Sequence, residues 1–195
     1  MAVIDATMLM LLVRPGTPIP ADAQGLPIEK PKERIELLVN KLQKAREKLV
    51  VPSPALSEVL VRAGAAASQQ IVEYLNKYAV FRIEPFDTRA AIEVAAMTRD
   101  AIAKKAKKGS SDATWAKIKY DRQIVAIAKV SGATTIYSDD GDIKAIAKLS
   151  GINVIGLADL PLPDEDRQGS LQLEGHADGQ IVGSPDSEEN EGSPA

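Results

Sequence analysis

Short apolar runs alternate along this chain with longer stretches in which apolar side chains return every three or four positions. Ala2-Val3-Ile4 is the first such run; Asp5-Ala6-Thr7 closes it, and Met8 to Val13 then reads as a short buried helix. From Lys32 to Lys48, the positions Ile35, Leu38, Val39, Leu42 and Ala45 fall on one stripe opposite charged residues, which predicts an amphipathic helix. Leu49-Val50-Val51 predicts a second strand. Pro52-Ser53-Pro54 marks a helix entry, with proline suited to the first turn and Ser53 as the cap of a helix through Ala55 to Val61. After Gly64, Ala65 to Lys77 is again helical in pattern, and Ala79 to Ile83 alternates as a third strand. Thr88 suits the cap of a long alanine-rich helix reaching Lys108, and Gly109-Ser110-Ser111-Asp112 interrupts the chain before a helix from Ala113 to Val130. Thr134 to Tyr137, Asp142 to Leu149 and Ile152 to Ile155 complete the series as strand, helix and strand.

Strands that alternate with helices predict a parallel sheet covered on both faces, because parallel neighbours need crossover connections. The predicted class is therefore α/β, with a five-stranded parallel sheet. Residues 14–31, with five prolines and two glycines, read as a loop insertion rather than a regular element. Beyond Pro161 the periodicity stops, so the expected organisation is one domain over residues 1–163 and an acidic, disordered tail over 164–195.

Composition narrows the chemistry. The chain has no cysteine, which excludes disulfides, thiolate catalysis and sulfur-ligated zinc, and its single histidine leaves little for imidazole chemistry. Any metal must be held mainly by oxygen. The net charge of −3 conceals an asymmetry: the tail carries a balance of −8 and the body +5. A mildly basic body suits a polyanionic substrate, though an ordinary mixed-charge surface explains it equally well. The amino terminus lacks the basic lead and cleavage site of a secretory signal and no long apolar run is present, so a cytoplasmic protein without membrane spans is expected.

The acids fall in a pattern. Asp139, Asp140 and Asp142 follow the fourth strand at the start of a helix, Asp5 follows the first strand, and Glu58 lies on the helix after the second. Asp121 sits on the inward stripe of its helix, since steps of three or four from Ile118 reach Asp121, Val125 and Ala128. Singly, each has a structural explanation as a cap, a first-turn acid or a buried ion pair. In parallel α/β sheets, however, ligands bind beyond the carboxyl ends of the strands, where the strand order reverses. If the first and fourth strands are neighbours, these acids meet there and form a hard-oxygen site suited to Mg²⁺ or Mn²⁺.

At this point the residues resemble the PIN domain nucleases, and the VapC-type toxins of prokaryotic toxin–antitoxin pairs in particular. The resemblance covers about residues 1–160. It rests on Val3-Ile4-Asp5-Ala6-Thr7, on Ser57-Glu58, on the helix Asp121-Arg122-Gln123-Ile124-Val125-Ala126-Ile127-Ala128, and on Ser138-Asp139-Asp140-Gly141-Asp142-Ile143. It implies a three-layer α/β/α PIN-like domain, with Asp5, Glu58, Asp121 and Asp140 as catalytic metal-site acids, Asp142 as a fifth acid, and Ser138 and Thr7 in support. Asp139 falls at the variable position. Ser138 replaces the commoner threonine and Ile143 the phenylalanine, and the 14–31 loop departs from the pattern. The implied activity is Mg²⁺- or Mn²⁺-dependent hydrolysis of RNA phosphodiester bonds, by a homodimer with a cognate antitoxin as partner. Lys117, Lys119 and Arg122, on the helix of Asp121, are the candidate phosphate contacts, with solvated surface as the competing role. The alternative function is a PIN-like module that binds RNA or protein without turnover. A receiver-like domain would need paired acids after the first strand and a lysine after the last, and neither is present.

Overall fold

The computed structural model describes residues 1–22, 24–103 and 114–163. Five parallel strands form one sheet in the order β3-β2-β1-β4-β5: β1 Ala2–Ile4, β2 Leu49–Pro52, β3 Phe81–Glu84, β4 Thr135–Tyr137 and β5 Asn153–Ile155. Seven helices among the described residues flank it: α1 Ala6–Val13, α2 Pro31–Lys44, α3 Ser53–Ala63, α4 Ala65–Lys77, α5 Thr88–Ala103, α6 Trp115–Val130 and α7 Gly141–Leu149. None is long and apolar enough to cross a membrane. The architecture is the three-layer α/β/α arrangement expected from the alternating pattern.

The sheet is built from nearly continuous apolar residues because both of its faces are covered. Val3, Ile4, Leu49, Val50, Val51 and Ile136 are fully buried. From β1 the chain winds outward through β2 to β3, then returns to place β4 on the other side of β1, where it continues to β5. The order therefore reverses between β1 and β4, and their carboxyl ends flank the crevice in which such sheets bind ligands.

Several boundaries differ from the pattern-based expectation for identifiable reasons. Asp5 caps α1 by accepting the Met8 N–H at 2.8 Å, which lets the helix begin at Ala6. Ser53 does not cap α3; its hydroxyl accepts the Phe86 N–H at 3.0 Å and ties α3 to the segment after β3. The cap of α5 is Asp87, which accepts the Ala90 N–H at 2.9 Å, so Thr88 lies inside the helix. Thr114 caps α6. α2 ends at Lys44 because Arg46 turns the chain with a φ of +56° before β2. The expected lysine-rich end of α5, the break at Gly109 and the 164–195 tail lie outside the described residues.

The 14–31 segment is a loop that folds on itself. Asp22 accepts the backbone N–H groups of Gln24 and Leu26, each at 2.9 Å, and Ala21 pairs with Pro27. Its far end is anchored by Arg34, which donates to the carbonyls of Glu29, Ala158 and Leu160.

Candidate active site

The register of β1 on β4 builds the first half of the site. Ile4 stands opposite Tyr137, and the Asp5 N–H continues the ladder to the Tyr137 carbonyl at 3.1 Å. The next residues, Asp5 and Ser138, are thereby set side by side, both buried. The Ser138 hydroxyl donates to Asp5 Oδ2, while Asp5 Oδ1 takes the Met8 N–H. Burial penalises the charged carboxylate and raises its pKa to about 6; the Ser138 and Met8 hydrogen bonds oppose that shift, and the nearby charges of Asp139 and Asp140 add to it.

The turn from β4 into α7 divides its acids by role. Asp140 caps α7, its Oδ1 accepting the N–H groups of Asp142 and Ile143 at 2.8 and 3.1 Å. Its own N–H donates to Ser138 Oγ at 3.0 Å, so one serine links the β1 and β4 halves of the site. Asp139 turns away: its Oδ1 accepts the Leu157 N–H at 2.8 Å and fastens the turn to the segment after β5. No periodicity or motif marked that role.

Asp121 comes from α6, buried as its place on the inward stripe predicted. Asp121, Asp140 and Asp142 each offer a carboxylate oxygen, and the three oxygens lie within 4.8 Å of one another. Lys117 Nζ lies against all three, 2.7 Å from Asp140, 2.9 Å from Asp121 and 3.1 Å from Asp142. Burial raises the Asp121 pKa to about 6 despite its bond to Lys117, with the Asp140 and Asp142 charges acting in the same direction as burial. Burial alone would lower the Lys117 pKa, but its bonds to Asp140, Asp121 and Asp142 outweigh that and hold the ammonium well above its ordinary value.

A cleft of about 520 Å³ opens over these residues, lined by Asp5, Thr7, Glu58, Lys117, Asp121 and Asp140 among others. Glu58 thus shares the cleft with the other candidate acids, but its carboxylate is paired with Arg62 at 2.6 Å, one turn along α3. Tyr120, Val61 and Ile124 add an apolar wall that the acid pattern did not point to.

The three basic candidates separate. Lys117 contacts the acids instead of presenting a free ammonium at the surface. Lys119 sits over the Trp115 ring, 5.5 Å from its centroid. Arg122 is 4% exposed, donates to Thr98 Oγ1 at 3.3 Å and lies 5.2 Å from the same ring. Its place corrects the expectation of a phosphate contact: Arg122 is four residues from Ile118, on the same inward stripe as Asp121, and serves the packing of α5 against α6. That spacing was the available signal.

The donor set fits a divalent ion of the hard class. All three converging ligands are carboxylate oxygens, and a cation already sits among them in the form of the Lys117 ammonium. Asp5 keeps acceptor capacity on each oxygen beyond its one hydrogen bond.

No family model matches the chain, and no curated protein matches it in sequence. Solved structures match it in fold. A chain of DNA-bound VapBC from Salmonella typhimurium aligns with a TM-score of 0.52 at 16% identity, over 80% of this chain and 97% of that one. A chain of FitAB bound to the IR36 DNA fragment aligns with a TM-score of 0.53 at 17% identity, over 85% and 99%. At these identities the likeness is one of fold: the chain carries the three-layer, PIN-like α/β/α architecture.

Proposed function

We propose that this protein is a metal-dependent endoribonuclease in which Asp121, Asp140 and Asp142 hold Mg²⁺ or Mn²⁺, with Asp5 and Glu58 completing the acidic wall of the cleft. The observation that carries this reading is the convergence of three carboxylates from two helices at the β1/β4 crevice. When bound, the divalent ion supplies positive charge against the scissile phosphodiester and the oxygen that leaves it. The chain's own residues do the rest. Ser138 holds Asp5 and Asp140 in register, and α7 fixes Asp140 through its cap. Asp5, which lines the cleft and has a raised pKa, would accept a proton from an attacking water. Val61, Tyr120 and Ile124 line the same cleft and offer it an apolar surface.

The resemblance to VapC-type toxins, and the fold shared with chains of VapBC and FitAB, support a place in a two-component pair with a protein antitoxin, acting as a homodimer in the cytoplasm. The test is cleavage of tRNA, rRNA and single-stranded DNA with Mg²⁺, with Mn²⁺ and with chelator. RNA cleavage that needs the ion and is lost in Asp121→Asn, with the circular dichroism spectrum unchanged, is the expected result. Full activity of Asp121→Asn or Asp5→Asn in Mn²⁺ overturns the mechanism.

One observation favours a second reading, a PIN-like module that binds RNA or protein without turnover: the Lys117 ammonium lies where a metal would lie. Absence of ion-dependent cleavage, together with RNA retention on a filter, selects that reading.

A further inference from the structure

We propose that Lys117 is a tethered cation that competes with the divalent ion for Asp121, Asp140 and Asp142, so that loading the site requires its ammonium to leave. The inference rests on the metal reading above and adds to it a residue that sets when the site fills.

Geometry carries it. An ammonium at 2.7, 2.9 and 3.1 Å from three carboxylates occupies the space that the converging oxygens define. Those oxygens lie within 4.8 Å of one another, so an ion bound by all three would meet the ammonium at contact distance. Two cations cannot share that space at reasonable cost. Position on the helix points the same way. Lys117 stands in the first turn of α6, three residues after the Thr114 cap, where the positive end of the helix dipole disfavours a cation. The acids offset that penalty. The side chain also has room to move, being 42% exposed on a flexible four-carbon stem whose root borders the cleft. A displaced ammonium would therefore remain in the cleft, beside the incoming polyanion.

The apparent metal affinity is then the intrinsic affinity reduced by the fraction of molecules in which the lysine is off the acids. An open fraction of one in ten makes Lys117→Met bind the ion about tenfold more tightly than wild type. Lys144→Met is the charge control: it removes the same charge from α7, two residues from Asp142, at a lysine that forms no ion pair with the three acids among the described residues.

The experiment is a Mn²⁺ titration of the full chain, with free Mn²⁺ read by electron paramagnetic resonance, on wild type, Lys117→Met and Lys144→Met. Tighter binding confined to Lys117→Met supports the proposal. Equal affinity of wild type and Lys117→Met overturns it while leaving the metal reading intact, and an equal gain in Lys144→Met overturns it in favour of general electrostatics. No binding by any of the three removes both the proposal and the metal reading. Should Lys117→Met fail to fold, the wild-type lysine ammonium resonances decide by NMR: the Lys117 signal, protected by its three acceptors, is expected to be lost on Mg²⁺ addition, and its persistence in metal-loaded protein overturns the proposal.

Discussion

The Ser138 hydroxyl donates to the buried Asp5 carboxylate across the β1/β4 boundary and accepts the Asp140 N–H on its other side. Removing that hydroxyl leaves a buried carboxylate oxygen without its side-chain donor, which costs about 2 kcal/mol. Ser138→Ala is therefore expected to lower Tm by roughly 5 °C at pH 7. The loss should shrink at pH 5, where Asp5 is protonated and no longer needs a donor at that oxygen. Thermal melts at the two pH values check both parts.

Stability of the metal-free protein should fall as pH rises from about 4 to above 6. Asp5 and Asp121 have folded pKa values of about 6 against an ordinary 3.8, so in that interval the native state binds more protons than the unfolded one. Stability therefore decreases with pH across the window and levels off above it. Lys117, raised above its ordinary value, contributes stability throughout and does not change the slope. Asp87, whose pKa is lowered chiefly by the Ala90 N–H, contributes its full stability above its ordinary value and loses it only as pH falls below that value, outside this window. A denaturant series in chelator from pH 4.5 to 7.5 is expected to show the decline, and Asp5→Asn to flatten it.

Glu58 lies on the cleft but is held by Arg62 on its own helix. Both side chains are substantially exposed, so the pair is worth at most about 1 kcal/mol. If Glu58 belongs to the metal site, Arg62→Ala frees it and strengthens Mn²⁺ binding by up to about fivefold. Glu58→Gln should weaken binding while lowering Tm by at most about 4 °C. Calorimetric titration of the two variants reads both effects, and unchanged affinity in each assigns Glu58 to the surface.

The strand and helix pattern made the sheet legible because each buried strand is a short apolar run and each covering helix has one apolar stripe. The site was legible as far as it followed from strand ends: Asp5 and Asp140 had to meet once β1 and β4 were neighbours. Asp121 and Arg122 are both readable from one helical stripe, but the charge of Arg122 suggests a phosphate contact where its spacing puts it in the packing of α5 against α6. Lys117 shows where one-dimensional reading stops. Its i,i+4 relation to Asp121 lies in the sequence, whereas its contacts with Asp140 and Asp142 depend on how α6 crosses α7. The capping roles expected of Ser53 and Thr88 failed for a similar reason: Ser53 meets Phe86 only after β2 and β3 pair, and Asp87 caps α5 in place of Thr88.

Asp139 was the acid with no assigned purpose, and the structure gives it one that depends on Gly156. A Cβ at position 156 would stand 2.8 Å from Asp139 Oδ1 and 3.2 Å from Asp159 Oδ2. Gly156→Ala is therefore expected to displace Asp139 Oδ1 from the Leu157 N–H, which it accepts at 2.8 Å. The loss of that bond costs about 1 kcal/mol. Asp139→Ala removes the same bond from the other side, so the two substitutions share one interaction and should not add. Chemical denaturation of Gly156→Ala, Asp139→Ala and the double variant is expected to place all three at nearly the same destabilisation. Metal affinity should stay near wild type in all three, because Asp139 faces Leu157 and the three converging acids do not include it. A double variant destabilised by the full sum of the single effects would show that Gly156 is constrained by something other than Asp139.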